Sequence, residues 1–345
     1  MRNFNYQGVK ISSIATALPA NNVQVSNGKS NALAVNEQIA SDLGFLAAQQ
    51  ILQNQNINVE EIGALVFLST TSDYRGPATA MVLQNRLQIP QNCIVYDAPT
   101  GNGGFENALN IGASLLKSIQ QNYVLLVLGN TVSKQLSIQD FNSLNFQDGA
   151  TAVLLEKSEN SFEIKTAFFT ISNSWNSFML PSGGFRENKS FFNALESKRV
   201  NQSDTHLHFN EATLEDIIKL EFNQLIRKIT EFSDNCQTKE TLVFVNLFLP
   251  SIENNFKSEL IKAGFDENSI YTFNEICPQT MAATTPLMLE IVLNKQENEM
   301  KHIVSISIGE GVSINMASFL ANKSLLQETI HSDSYYDNGF VTHEM

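Results

Sequence analysis

The chain has 345 residues, 43% of them hydrophobic and only 17% charged, with a formal net charge of −13. That is enough apolar material for one large core or two moderate ones, and the acidic balance argues against nucleic acid or an anionic membrane as the main partner. No stretch approaches the ~18 consecutive apolar residues of a membrane span and the start, MRNFNYQGVK, lacks a signal peptide's apolar core, so a cytoplasmic location is expected.

VKISSIATALP (Val9 to Pro19) reads as a strand closed by proline. From about Asn36 to Gln53, the apolar positions Ile39, Leu43, Leu46, Ala47, Ile51 and Leu52 fall on one helical face. ALVFLSTTS (64 to 72) is a near-continuous apolar strand of the kind buried on both faces. Pro77 suits the first position of the next helix, Ala78 to Leu87. The strand candidate Ile94 to Tyr96 then runs through Asp97 into a glycine-rich turn, with Gly101, Gly103 and Gly104, and a helix leaves from Phe105 to about Ser118. Tyr123 to Asn130 is another strand, and NFQDGATAVLLEK (145 to 157) is a turn and strand.

The glycine corner organises the chain. Its backbone N–H groups have no partner within the helix, and the helix dipole favours negative charge there, so a nucleophile at the apex would be activated. The apex residue is Asn102, and an amide is not a nucleophile. At a helix start its side-chain oxygen is expected to cap a backbone N–H.

Residues 241 to 295 repeat the order of 64 to 117: strand, helix, short strand, loop, long helix. The glycine corner of one copy is expected to face the CPQTMA corner of the other, with a pocket between. The divisions expected are an N-terminal half at 1–157, a C-terminal half at 158–320 whose Ser/Asn-rich residues 158–210 form loops over the pocket mouth, and a tail or docking segment at 321–345. Cys93, Cys236 and Cys277 are read as buried small hydrophobes, since their spacing suits neither a disulfide framework nor a metal site. A lone GNGG lacks the remaining features of a dinucleotide site.

Several ordered motifs resemble the condensing enzymes of the thiolase fold, closest to beta-ketoacyl-ACP synthase III. They are STTSDYRGPATAMVLQ, FQDGATAVLL with Gln147 in its second place, QTMAATTP (279 to 286) and IGEGVSINMA (308 to 317). The resemblance implies an α/β fold of duplicated halves in α-β-α-β-α layers. It also implies that the family's Cys, His and Asn fall at Asn102, at Leu247 with Asn246 one residue away, and at Gln279. All three have changed, and His206, His208, His302, His331 and His343 lie in no matching motif. Catalytic residues, cofactor and metal are therefore not expected. The expected substrate or partner pocket comprises Gly76, Pro77, Gly103, Gly104, Gly309 and Gly311.

The segment Val23 to Asn36 lacks the Trp and Arg with which the family clamps CoA, and the single Trp175 lies elsewhere. With the negative charge, this also disfavours direct docking of an acidic carrier protein. Two readings follow. One is a non-catalytic subunit, paired with an active synthase III paralogue or a second copy, that meets an acyl chain or carrier protein through the partner. By the resemblance, Gly76 would leave the partner's acyl tunnel open. The other is a repurposed acyl-transfer or thioester-processing enzyme without a Cys nucleophile. Cys277 as a relocated nucleophile is the weaker alternative, because it precedes Pro278 rather than opening a helix.

Overall fold

The computed structural model describes residues 1–24, 30–136, 145–159, 163–180, 206–234 and 241–337. Strand β1 (Arg2–Gln7) leads into β2 (Val9–Leu18), and the hairpin β3 (Asn22–Gln24) and β4 (Ser30–Ala32) precedes helix α1 (Ala40–Asn54). Then come β5 (Ile62–Leu68), α2 (Thr79–Arg86), β6 (Ile94–Ala98), α3 (Gly104–Ser118), β7 (Tyr123–Asn130) and β8 (Gly149–Lys157). The second half runs β9 (Glu163–Thr170), the short β10 (Phe178–Met179) and β11 (His208–Phe209), α4 (Glu211–Asp234), β12 (Thr241–Asn246), α5 (Pro250–Lys262) and β13 (Ile270–Thr272). It closes with α6 (Thr284–Leu293), β14 (Lys301–Gly309), β15 (Ser313–Ala321) and the edge piece β16 (Ile330–His331).

These strands build two sheets in the orders β16-β2-β8-β7-β5-β6 and β1-β9-β15-β14-β12-β13. In the first, β5 lies parallel to both β6 and β7, while β8 is antiparallel to β7 and β2. In the second, β12 lies parallel to β13 and β14, while β15 is antiparallel to β14 and β9. The last five strands of each order thus share one arrangement and one set of directions, which is the duplication visible in the sequence.

Alternation along the strands creates the layers, because successive side chains leave opposite faces of a sheet. Ala64, Val66 and Leu68 of β5 join a core that also holds Phe105, Leu109 and Leu116 of α3, Leu287 and Met288 of α6, and Phe244 of β12. Leu65 and Phe67 point to the other face and pack with Leu43, Ala47 and Ile51 of α1 and Leu83 of α2. On the far side, Val243 and Val245 of β12 pack with Ile218 and Leu225 of α4 and Phe256 of α5. The order is therefore α1 and α2, a sheet, α3 and α6, a sheet, α4 and α5, the layered α/β arrangement expected.

The division into halves is crossed at both ends. β1 lies at the start of the chain but pairs with β9 in the second sheet, and β16 pairs with β2 in the first. The expected tail is accordingly a strap along the first half. The Asp333 carboxylate accepts the Ala20 and Asn21 N–H groups, and the Gln38 amide donates to the Ser332 and Ser334 carbonyls. The expectation of loops across 158–210 also needs correction: EIKTAFFT alternates well enough to form β9, which is held between β1 and β15. Residues 181–205 of that stretch, with Cys236 and His343, lie outside the described residues. Finally, α2 starts at Thr79 and not at Pro77, because the Asp97 carboxylate caps the Thr79 and Ala80 N–H groups at 2.7 and 2.8 Å.

Candidate functional site

β6 delivers the chain to the glycine corner, and α3 leaves from it. The capping position of α3 is Gly103, whose φ of +79° is left-handed backbone that suits glycine. Asn102 lies one residue earlier, so it does not act as the helix cap expected. Its side chain, 1% exposed, turns instead toward the second sheet. There Nδ2 donates to the Ile308 carbonyl at 2.5 Å, and Oδ1 accepts from Asn246 Nδ2 at 2.8 Å.

The chain of amides continues. Gln279 Nε2 donates to Asn246 Oδ1 at 2.9 Å, and Gln279 Oε1 accepts from the Met281 N–H at 3.1 Å and from the Thr284 hydroxyl. Three carboxamides from three parts of the chain therefore form one buried hydrogen-bonded row, each giving an N–H to a neighbour and taking one on its oxygen. Backbone bonds fix the Gln279 end: its N–H donates to the Asn145 carbonyl, and its own carbonyl accepts from Gln147, both at 2.9 Å. The FQDG turn is thereby stitched to the QTMA turn.

The position expected at Leu247 requires correction. Leu247 is fully buried in the outer core with Val243 and Val245. Asn246 has the parity of Phe244 and Leu242, which face the central layer. Period-two alternation along VFVNLF was the signal that could have separated the two. The Leu247 backbone is nonetheless anchored there, its N–H donating to Glu253 Oε1 at 2.9 Å, and burial pushes the Glu253 carboxyl well above the ordinary range.

Two further carboxyl groups approach the corner, and no local pattern marks either of them. Glu310, between Gly309 and Gly311, accepts the Gly101 N–H at 3.1 Å and the Asn102 N–H at 3.2 Å. Glu106, on the first turn of α3, accepts from the Ser307 hydroxyl at 2.6 Å. Burial raises the pKa of both, while the hydrogen bonds they accept act in the opposite direction. His302, the buried one among the described histidines, lies apart from this group, between Thr241 and Ser318, and burial lowers its pKa to about 4. Cys277 packs in the central core, and burial lifts the Cys93 thiol to about 11.

The six glycine and proline pocket positions do not form one pocket. Gly103, Gly104 and Gly309 pack at the corner: a Cβ on Gly104 would lie 2.7 Å from the Ala282 Cβ, and one on Gly309 would lie 2.5 Å from the Asn102 carbonyl oxygen. Gly311 follows Glu310. Gly76 and Pro77 instead line a separate cavity of about 370 Å³, with walls from α1, α2, Asp73, Tyr74 and the tail residue Tyr336.

A corner between two like sheets, with helices starting at both turns, can now be compared with known proteins. The model of 3-oxoacyl-[acyl-carrier-protein] synthase III matches residues 96–172, which hold the glycine corner and the FQDG turn. The chain is 31% identical over 140 residues to beta-ketoacyl-ACP synthase III 2 of Bacillus cereus, covering 40% of this chain and 42% of that protein. It is 25% identical over 274 residues to the Halalkalibacterium halodurans protein of the same name, covering 78% and 77% of the two chains. Among solved structures, a 3-oxoacyl-ACP synthase from Burkholderia xenovorans superposes with a TM-score of 0.81 at 21% identity, over 96% of this chain and 99% of that one. The chain is synthase III-like, with the thiolase fold. OleA of Xanthomonas campestris, solved with lauric acid and lauroyl-CoA bound, shares that fold with a TM-score of 0.69 at 18% identity, over 92% and 100%. The aligned part of the first Bacillus relative is thus about two-fifths of its length.

Within this synthase III-like chain the corner can do limited chemistry. Carboxamides neither ionise near neutral pH nor attack a thioester, and all three oxygens here already accept hydrogen bonds, those of Asn102 and Asn246 from the next amide and that of Gln279 from the Met281 N–H and the Thr284 hydroxyl. What they supply is orientation and a buried, hydrogen-bonded junction between the sheets. No helix among the described residues is long and apolar enough to cross a membrane.

Proposed function

We propose that this chain is a catalytically degenerate synthase III-like protein, the non-catalytic subunit of a heterodimeric ketosynthase that makes fatty-acid-derived or polyketide products. In this reading it completes the fold of an active paralogue and shapes that partner's acyl pocket. One observation carries the reading: Asn102, Asn246 and Gln279, which the resemblance sets at or within one residue of the family's catalytic positions, are amides joined by hydrogen bonds in one row. Such a row offers an incoming thioester neither nucleophile nor base.

The surface near β6 supports a partner. β6 is the outermost strand of the first sheet, and Ile94 at its start is 45% exposed, with Met81 on α2 at 50% and Tyr74 at 41%. An apolar sheet edge of this kind is normally covered. The second reading, a repurposed thioester-processing enzyme, draws on Glu310 and Glu106 beside the amides, since carboxyl groups can move protons where a thiol is missing.

Two measurements decide between them. The purified chain incubated with acyl-CoA or acyl-ACP is expected to keep its intact mass, and it is expected to release no free thiol from either. Co-expression with an active synthase III paralogue from the same source is expected to give a heterodimer. An acyl adduct on any residue, or thioester hydrolysis by the chain alone, favours the repurposed enzyme. A stable monomer that ignores every such paralogue removes the subunit reading.

A further inference from the structure

We propose that Glu310 is a built-in plug, its carboxylate filling the anion-accepting corner before α3 and keeping any outside acyl oxygen or carboxylate from the Gly101 and Asn102 N–H groups. The inference rests on the non-catalytic reading and deepens it: the chain lacks a nucleophile, and the place where acyl-oxygen charge would be stabilised is also occupied from within. Two adjacent backbone N–H groups converging on one point are the kind of donors that developing negative oxygen requires, and here they lie just ahead of the α3 cap, Gly103. Here both point at one carboxylate, at 3.1 and 3.2 Å. Both N–H groups are thus already hydrogen-bonded within the chain, so an outside ligand would have to displace a carboxyl group in place.

The surroundings are built to the shape of this side chain. A Cβ on Gly101 would lie 2.1 Å from Glu310 Oε1, so the carboxylate reaches the corner because residue 101 has no side chain. Glu310 is tethered on both sides. The Ile308 carbonyl before it accepts from Asn102 Nδ2, and the Gly311 N–H after it donates to the Phe178 carbonyl at 2.8 Å. Gly311 has a φ of +68°, a left-handed turn that carries the backbone away just past the plug. The plug and the amide row thus meet at Asn102, whose backbone N–H serves one and whose side chain serves the other.

The test introduces a reporter thiol at the apex. Asn102→Cys and the double variant Asn102→Cys, Glu310→Gly are alkylated with iodoacetamide at pH 7, and the rate at residue 102 is followed by peptide mass mapping. The thiolate displaces iodide, so the rate reads the thiolate fraction and access to the corner. With the carboxylate gone, the freed N–H groups and the helix dipole favour the thiolate, and the double variant is expected to react about tenfold faster or more. Equal rates would overturn the plug. If the cysteine variants do not fold, Glu310→Gly in the otherwise native chain answers the question by amide hydrogen exchange. The peptide across 98–105 should exchange about tenfold faster than in the native chain, with β7 unchanged, and unchanged exchange at 98–105 sinks the proposal. These outcomes are separate from the functional reading, which fails if the native chain acylates or processes a thioester, or if it pairs with no active paralogue.

Discussion

The corner at Asn102 and the cavity at Gly76 treat their polar groups in opposite ways. At the corner, Asn102, Asn246 and Gln279 are joined in one buried row, and the chain's own Glu310 accepts the backbone N–H of Asn102. In the cavity of about 370 Å³, Asp73 receives the Ser41 hydroxyl at 2.8 Å on one oxygen, while its other oxygen is buried without a hydrogen-bond partner. Arg86 beside it is bound to Asp42 at 3.0 Å and held between the rings of Phe45 and Tyr336, while Tyr74 and Gly76 face outward. Buried polar groups normally find partners, and each region holds an exception, Thr100 Oγ1 beside the glycine corner and Asp73 Oδ1 in the cavity. The three amides are thus satisfied within this one chain, whereas one Asp73 oxygen in the cavity between α1 and α2 is not.

The largest effect should come from breaking the saturated site at its middle. Asn246→Ala removes two bonds at once and strands Asn102 Oδ1 and Gln279 Nε2 in a dry interior. An unsatisfied buried group costs about 1–3 kcal/mol, so the variant should lose roughly 2–5 kcal/mol in urea denaturation. A loss below about 1 kcal/mol would mean that water enters and replaces the amide, and the corner would no longer count as self-contained.

Much of this contrast could be read from the sequence and part of it could not, for definable reasons. Local patterns carried the elements: Tyr123–Asn130 forms as expected, α3 ends at Ser118, and β5 is buried along its whole length. The repeat in the sequence appears as two sheets of like order. Asn102 and Gln279 were visible because each stands in a motif with fixed neighbours. Asn246 was harder, since its motif is degraded and only strand parity separates it from Leu247. Glu310 was out of reach, because its partner N–H groups lie more than 200 residues earlier and no local periodicity encodes that meeting. The edge exchange of β1 and β16 was hidden for the same reason: short strands choose a sheet by tertiary packing rather than by propensity.

The unsaturated site can be sharpened by titration. Burial, with the neighbouring charges of Asp42 and Asp97, lifts the Asp73 carboxyl from 3.8 to about 6, against the lowering effects of the Ser41 hydrogen bond and Arg86. An acid whose folded pKa is raised binds its proton more tightly in the folded state. Its ionisation therefore costs stability as pH rises from about 4 to 6, and the cost is fully present above 6. Asp73→Asn keeps an oxygen for Ser41 and cannot ionise. It should raise stability at pH 7.5 by about 2 kcal/mol while leaving stability near pH 4 almost unchanged. If the native chain and the variant show the same pH dependence between 4 and 7, the free oxygen of Asp73 is already satisfied and the contrast with the corner weakens. Repeating the measurement on the co-expressed complex sharpens the comparison further, since a partner that donates to Asp73 should shrink the difference between native and variant.

The smallest effect on the chain itself is expected at Gly76, and that is its value as a test. Gly76 is exposed on the cavity wall, and a Cβ placed on it meets no atom within 4 Å. Its φ is not left-handed, so a side chain there is not excluded by the backbone. Gly76→Phe should therefore change the stability of the isolated chain by no more than about 0.5 kcal/mol, as for surface positions that touch nothing. In the proposed heterodimer the same residue faces the partner, where a benzyl group would occupy space left open by hydrogen. The expected result is an assembled complex whose product profile, measured by mass spectrometry with a series of acyl donors, moves to shorter chains. A complex that assembles with an unchanged profile would show that Gly76 lies clear of the acyl path, and the cavity beside it would then belong to assembly alone. A failure to assemble, with the isolated variant still folded, would put Gly76 inside the contact surface and make the cavity wall part of the interface rather than the end of an acyl tunnel.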